Sequence, residues 1–154
     1  MRARNRKLTI LDDLGRYNEA IKECEEMLKL CESDNLGIRY RLIGLYCILE
    51  KFDECEKLYK KFGEHSAFML FPMAIMYFKK GDYKKAKKFL KETQDENPYI
   101  IEILKNNIAM YKNADEIEYY APGSKEEASI IISDLFCLLG SVPSFITYME
   151  LEIK

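Results

Sequence analysis

Apolar residues recur every three to four positions along most of the chain, with charged residues between them. That spacing places the apolar side chains on one face of an α-helix. In the segment 18–31, the apolar members of this pattern are Ala20, Ile21, Cys24, Met27, Leu28 and Cys31. Segments 36–49 and 67–80 are apolar on most sides, which is typical of helices packed between neighbours. The pattern predicts an all-α fold.

A short turn sequence recurs between these predicted helices, at 15–20, 50–55 and 81–86. The first and last copies open with glycine, have tyrosine two positions later and alanine three positions further on. The middle copy keeps only the aromatic and a smallish residue. Aligned on the aromatic, the copies lie 35 and then 31 residues apart. A helix–turn–helix unit at that period indicates a stack of helical hairpins, a solenoid.

The recurring unit resembles the tetratricopeptide repeat (TPR), a helix pair of about 34 residues. The family's turn glycine, aromatic and small residue match Gly15, Tyr17, Ala20 and again Gly81, Tyr83, Ala86. Met73, Ala74 and Tyr77 match the family pattern on the first helix, and Pro98 matches the repeat-ending proline. The resemblance implies a right-handed superhelical stack of TPR-like helix hairpins with a C-terminal helical cap.

The resemblance also implies a division of the chain. Three hairpins are expected at about 1–34, 35–65 and 66–98, and a degenerate fourth hairpin with capping helices at 99–154. In that last part, the pattern predicts helices over 99–111, 124–139 and 144–151. Pro72 interrupts the third hairpin, so its first helix either begins late, near Phe71, or is kinked at the proline.

In a TPR stack the first helices of the hairpins line a concave groove, and their side chains are the candidate partner-binding residues. The predicted set is Tyr40, Arg41, Cys47, Ile48, Phe68, Phe71, Ile75, Phe78 and Lys79. A wall rich in aromatic residues and methionine suits an amphipathic helix or an extended peptide, which Arg41 and Lys79 would orient. Alternatively, the C-terminal helices fold into this wall and the same residues are core.

Charge allows a second kind of partner. The formal net charge of −2 argues against binding nucleic acid through bulk charge. However, the 79–91 segment concentrates lysines that would meet RNA phosphate or an acidic partner, although a solvated face is the more usual role of such a patch. The acidic 19–26 segment has the opposite sign, so head-to-tail homo-oligomers are also possible.

The remaining chemistry of the sequence is sparse. Five cysteines without CxxC spacing and a single histidine, His65, predict free thiols rather than a metal site. Motifs for nucleophilic, phosphate-binding or zinc catalysis do not occur, so we expect no enzyme activity and no cofactor. No apolar run reaches the length of a membrane span. The sequence therefore predicts a cytoplasmic, non-catalytic protein–protein interaction module or scaffold, with RNA binding or a structural segment of a longer array as alternatives.

Overall fold

A computed structural model of the chain describes residues 2–106 and 114–153. Within these ranges the backbone forms ten α-helices and one short 3-10 turn (Ala114–Glu116), without any strand. The helices are α1 (Arg2–Asp13), α2 (Tyr17–Leu30), α3 (Ile38–Ile48), α4 (Phe52–Phe62), α5 (Ala67–Lys80), α6 (Tyr83–Glu96), α7 (Pro98–Asn106), α8 (Lys125–Asp134), α9 (Phe136–Ser141) and α10 (Ser144–Glu152). The prediction of an all-α fold is confirmed.

The first six helices form three hairpins whose turns share one geometry. Gly15, Glu50 and Gly81 follow α1, α3 and α5 with φ angles of 67°, 56° and 84°. In each turn, the next N–H donates to a carbonyl oxygen five residues earlier over 2.8–2.9 Å. A left-handed residue with this hydrogen bond is the Schellman ending of a helix. Position 50 therefore keeps the repeat's turn, although a glutamate there adopts a left-handed backbone conformation that favours glycine.

Small side chains set the contact inside each hairpin. We call α1, α3 and α5 the A helices and α2, α4 and α6 the B helices. Ala20, Cys55 and Ala86, one on each B helix, are all 0% exposed. A small buried side chain lets the two helices of a hairpin approach closely, and a larger one there would overpack the contact. The smallish residue of the degraded middle repeat thus keeps its packing role.

The third hairpin resolves the two alternatives for Pro72. α5 begins at Ala67, directly after Ser66, so the late start near Phe71 is wrong and the proline lies inside the helix. Proline has no N–H, so the carbonyl of Phe68 lacks its usual helical partner. Every residue of α5 from Ala67 to Tyr77 is buried, which places this helix in the centre of the fold.

The C-terminal helices α8, α9 and α10 fold back onto the hairpins. α8 packs against α7, α9 against α3, and α10 against α7. The single helix predicted over 124–139 is wrong, because the chain leaves helical geometry at Leu135 and α9 begins after it. The helix predicted over 99–111 corresponds to α7, and its residues 107–111 lie outside the described ranges. One buried apolar cluster extends from Leu8 to Ile153 and joins the C-terminal helices to the hairpins.

Candidate functional site

Several predicted partner-binding residues lie on the side of α3 and α5 that the C-terminal part of the chain approaches, whereas Cys47 faces Cys55 on α4. We call this surface, which carries Tyr40, Gly44, Phe68, Phe71 and Phe78, the A-helix face. A Cβ atom built on Gly44 would lie 3.1 Å from Cδ2 of Leu135, between α8 and α9. A side chain at position 44 would require Leu135 to shift by a few tenths of an ångström, so Gly44 favours the close approach of the C-terminal helices to α3.

Aromatic contacts attach the C-terminal helices to α5. The ring centroid of Phe145 lies 6.0 Å from that of Phe71 and 5.5 Å from that of Phe78. Tyr148 lies 4.9 Å from Phe78 and donates its hydroxyl to the Tyr83 carbonyl oxygen over 2.8 Å. Of the two alternatives for this wall, the structure has the one in which the C-terminal helices fold onto it.

The predicted partner-binding residues divide into two groups by exposure. Cys47, Phe71 and Ile75 are fully buried, and Phe68 is 9% exposed. The half-buried members are Tyr40, Arg41, Ile48, Phe78 and Lys79. The first group packs inside the chain, whereas the second reaches the surface at the margin of the A-helix face. The binding role of all nine residues stays a prediction.

The two basic members of this set join helices within the chain. Arg41 forms an ion pair with Asp12 of α1, and its Nε lies 2.9 Å from Asp12 Oδ2. Lys79 Nζ donates to the carbonyl oxygens of Cys47 and Ile48 over 2.9 and 3.4 Å. Those carbonyls end α3, where a positive charge is favourable because of the helix dipole. Both side chains thus have structural partners.

A polar network that the sequence pattern did not reveal surrounds Tyr40. The Tyr40 hydroxyl donates to Glu64 Oε1 over 2.6 Å, and Arg39 Nε donates to Glu64 Oε2 over 2.7 Å. Arg39 also pairs with Asp34 over 2.9 Å, and its guanidinium lies 4.3 Å from the Tyr40 ring centroid. Burial alone would raise the pKa of Glu64, but hydrogen bonds from Tyr40 and Arg39 outweigh it and lower that pKa.

Beside this network lies a cleft of about 300 Å³, which we call the acidic cleft. It is enclosed by α3, the α4–α5 loop, the end of α6 and the segment before α8. Its aromatic and acidic lining residues are Tyr40, Phe68, Tyr120, Glu64, Glu96 and Glu127. Sequence reasoning missed the three glutamates and Tyr120, because they come from distant segments without a shared spacing.

Two further clefts open on the surface. The edge cleft, of about 50 Å³, is lined by Tyr40, Arg41, Ile48, Leu135 and Cys137, among others, so Tyr40 lines both this cleft and the acidic cleft. Another cleft, of about 340 Å³, lies between α2 and α4 over an apolar floor of leucines, with glutamates and lysines on its rim. This last cleft contains none of the predicted partner-binding residues.

The lysines of the 79–91 segment are largely paired within the chain. Carboxylate partners lie 2.6–3.9 Å away for five of them: Lys79 with Glu50, Lys80 with Glu56, Lys85 with Asp82, Lys87 with Glu152, and Lys88 with Glu92. Such pairing reduces the positive charge available to a phosphate. The alternative of RNA binding by this surface gains no support from the geometry.

The cysteines are all free thiols, and Cys47 and Cys55 lie with their Sγ atoms 3.5 Å apart in the core. Burial raises the pKa of the Cys24 thiol to about 12 and that of Cys47 well above its ordinary value, which keeps these thiols protonated and unreactive. In the described part of the chain, no group of three or more histidine, cysteine or acidic side chains could hold a metal ion.

A comparison with protein-family models supplies the deciding observation. The tetratricopeptide repeat model matches residues 2–34 and 71–98, which cover the first hairpin and most of the third. The chain contains tetratricopeptide repeats in these two segments. The matches leave out the middle hairpin of the TPR stack, where Glu50 replaces the turn glycine. No curated protein and no solved structure matches this chain.

The matched repeats indicate a general function. Tetratricopeptide repeats are generally protein–protein interaction modules and generally non-catalytic. Among the helices described for this chain, none is both long and apolar enough to cross a membrane.

Proposed function

We propose that this chain is a non-catalytic protein–protein interaction module that binds a peptide or helix of a partner along the margin of the A-helix face. The observation that supports the proposal most is that Tyr40 lines both the edge cleft and the acidic cleft. Arg41 and Ile48 share the edge cleft with it, and Phe68 shares the acidic cleft. Tyr40, Arg41 and Ile48 therefore line open space beside the α8–α9 junction, and Tyr40 also lines open space beside the segment before α8.

The proposal assigns different roles to the two groups of predicted residues. Tyr40, Ile48 and Phe78 offer partly exposed apolar surface that would contact the partner, and hot spots in interfaces are enriched in such anchors. Cys47, Phe71 and Ile75 would support that surface from below rather than contact the partner. The proposal also places the interaction in the cytoplasm, which stays a prediction from the cysteine pattern.

The test uses a photo-reactive amino acid placed at single positions of the full chain. Tyr120 and Cys137, which line the two clefts, are the test positions, and Leu30 on α2, which is 71% exposed, is the matched control. We expect one partner to be cross-linked at both test positions and not at Leu30. The purified partner should then bind the chain directly in isothermal titration calorimetry.

A variant decides whether the margin of the A-helix face carries the affinity. Ile48→Asp places a charge at a half-buried position of the edge cleft, so it should weaken binding of the purified partner at least tenfold. Circular dichroism and thermal melting of the variant confirm that it is folded. Equal cross-linking at Leu30 and the test positions, or unchanged affinity of folded Ile48→Asp, would show that this surface is not the binding site.

A further inference from the structure

The acidic cleft has a net negative charge that its surroundings do not cancel. Glu64, Glu96 and Glu127 line it, and His65 is the only basic side chain in the lining. Arg39 pairs with both Glu64 (2.7 Å) and Asp34 (2.9 Å), so its single positive charge is shared between two carboxylates. The first turns of α5 and α8 border the cleft, and each helix N-terminus contributes about half a positive charge. Two such termini offset only about one of the three carboxylates.

Glu127 is the buried member of the cleft. It is 6% exposed, and its Oε2 accepts hydrogen bonds from the Gly123 N–H (2.8 Å) and from Asn97 Nδ2 (2.7 Å). Both donors are neutral, and no lysine, arginine or histidine within residues 2–106 and 114–153 forms an ion pair with it. Glu127 is the third residue of α8, so the helix N-terminus and these two hydrogen bonds already stabilise its negative charge. A cation supplied by a partner would add a counter-charge that the described ion pairs do not supply.

Glu96 is the accessible member. Its Oε1 lies 3.6 Å from His65 Nε2, and that histidine is charged only when protonated. Glu96 is therefore without a permanent counter-ion among the described ion pairs. Its side chain is 42% exposed, so a cation in solution could reach it.

The aromatic wall suits the same ligand. Tyr40 and Phe68 stack with ring centroids 4.6 Å apart, and Tyr120 lies 5.9 Å from Phe68 with 38% of its surface exposed. A cation close to an aromatic ring face is attracted by the ring's quadrupole. The chain already uses this chemistry, because Arg39 lies on the Tyr40 ring while it pairs with Glu64.

We propose that the acidic cleft binds the cationic side chain, arginine or lysine, of the protein partner, with Glu96 and Glu127 as counter-charges and Tyr120 as the open ring. The proposal rests on the proposed function and specifies that the partner residue bound in the acidic cleft is positively charged. At about 300 Å³, the cleft is at the small end of ligand pockets, which suits one long side chain rather than a helix.

The test uses defined peptides, so it does not depend on knowing the partner. Acetylated and amidated pentapeptides with a central arginine, lysine or citrulline are titrated into the ¹⁵N-labelled full chain and followed by NMR. Citrulline has nearly the shape of arginine but no charge. We expect the two cationic peptides to shift the amides of Tyr120, Gly123 and Glu127, and to bind at least tenfold more tightly than the citrulline peptide.

Variants connect the binding to the cleft. Glu96→Gln and Tyr120→Leu should each weaken the arginine peptide at least threefold. Asp95→Asn is the matched control, since it removes a carboxylate from the same exposed end of α6 but outside the cleft lining, and it should leave the affinity unchanged.

The outcomes separate the two proposals. If arginine and citrulline peptides bind equally or not at all, the cation site is wrong, even when the cross-linked partner still requires Ile48. If Asp95→Asn weakens the arginine peptide as much as Glu96→Gln does, the attraction is general surface charge and the site is also wrong. If the arginine peptide binds in the cleft but no partner is cross-linked beside it, the cation site stands and the proposed function fails.

Discussion

Single residues in the hairpin turns carry the repeat's geometry. Glu50 occupies the same left-handed conformation as Gly15 and Gly81, with a φ angle of 56°. A left-handed backbone costs a residue with a Cβ atom roughly 1–2 kcal/mol, whereas glycine adopts it freely. The middle repeat therefore contains strain that the other two turns avoid.

Exchanging the residue types at these turns should change stability in opposite directions. A Cβ atom on Gly81 would have nothing within 4 Å, so Gly81→Ala tests the backbone alone. It should destabilise the protein by roughly 0.5–1 kcal/mol, because the lower freedom of alanine in the unfolded chain offsets part of the left-handed strain. Glu50→Gly should stabilise it by roughly 0.5–1 kcal/mol, less than the relief of strain because glycine gains freedom in the unfolded chain. Urea unfolding measures both. The same sign of change for the two variants would contradict the shared turn geometry.

The Glu64 network makes stability depend on pH. The folded-state pKa of Glu64 is lowered from its ordinary value of 4.5, so its contribution is present above pH 4.5 and is lost as the pH falls through the folded-state pKa. Glu64→Gln removes this titrating group, so the variant should lose less unfolding free energy than the original chain between pH 7 and pH 3. The difference should be about 1 kcal/mol or less, because the Arg39–Glu64 pair is partly exposed. Glu26→Gln, exposed on α2, is the control and should leave that loss unchanged.

At the level of elements, Phe145 is the buried aromatic side chain in the contact between α10 and α5, beside the more exposed Tyr148. Phe145 is 0% exposed and contacts both Phe71 and Phe78. Deletion of its ring would leave a cavity between the C-terminal helices and the hairpins. Leu151 lies on the same helix but is 66% exposed, so its replacement is a control for the loss of a large apolar side chain outside the core.

Phe145→Ala should therefore destabilise the protein by about 3–5 kcal/mol, and Leu151→Ala by less than about 0.5 kcal/mol. Urea unfolding followed by circular dichroism gives both values. A loss of under 1 kcal/mol for Phe145→Ala would mean that α10 is not docked in solution as the structure places it.

The helices could be predicted from the sequence because their apolar spacing is local information. The turn residues are equally local, which is why Gly15 and Gly81 identified the hairpins. What an apolar face packs against is not local. The pattern could show that Phe71 and Phe78 must be covered, but it could not decide between a partner and Phe145.

The candidate site illustrates the same limit. Tyr40 was predicted because it occupies a repeat position. Glu64, Glu96 and Tyr120 line the acidic cleft together with Tyr40, but they come from a loop, a helix end and a connecting segment. Lys79 was predicted to orient a partner, yet the structure gives it the carbonyls at the end of α3. A helix terminus is predictable from sequence, but the side chain that meets it from another repeat is not.

On the scale of the whole molecule, the C-terminal helices connect repeats that would otherwise touch only their neighbours. In an open repeat array each unit contacts the next, so ends fray separately. Here α9 packs on α3 and α10 on α7, while Tyr148 bonds to the carbonyl of Tyr83. Closure of this kind makes the loss of one contact weaken the others.

We therefore expect the chain to unfold in one cooperative transition. Native-state hydrogen exchange should give amides of α3, α5 and α10 opening free energies that agree within about 1 kcal/mol. Much faster exchange of α10 than of α3 would show that the C-terminal helices open on their own.

The position of Phe145 late in the sequence has a consequence for synthesis on the ribosome. Phe71 can pack against Phe145 only after Phe145, which follows 74 residues later, has been synthesised. At about 5–20 residues per second, synthesis of that stretch takes roughly 4–15 s. Phe71 and Phe78 therefore stay without the ring that packs against them in the folded protein until α10 has been made.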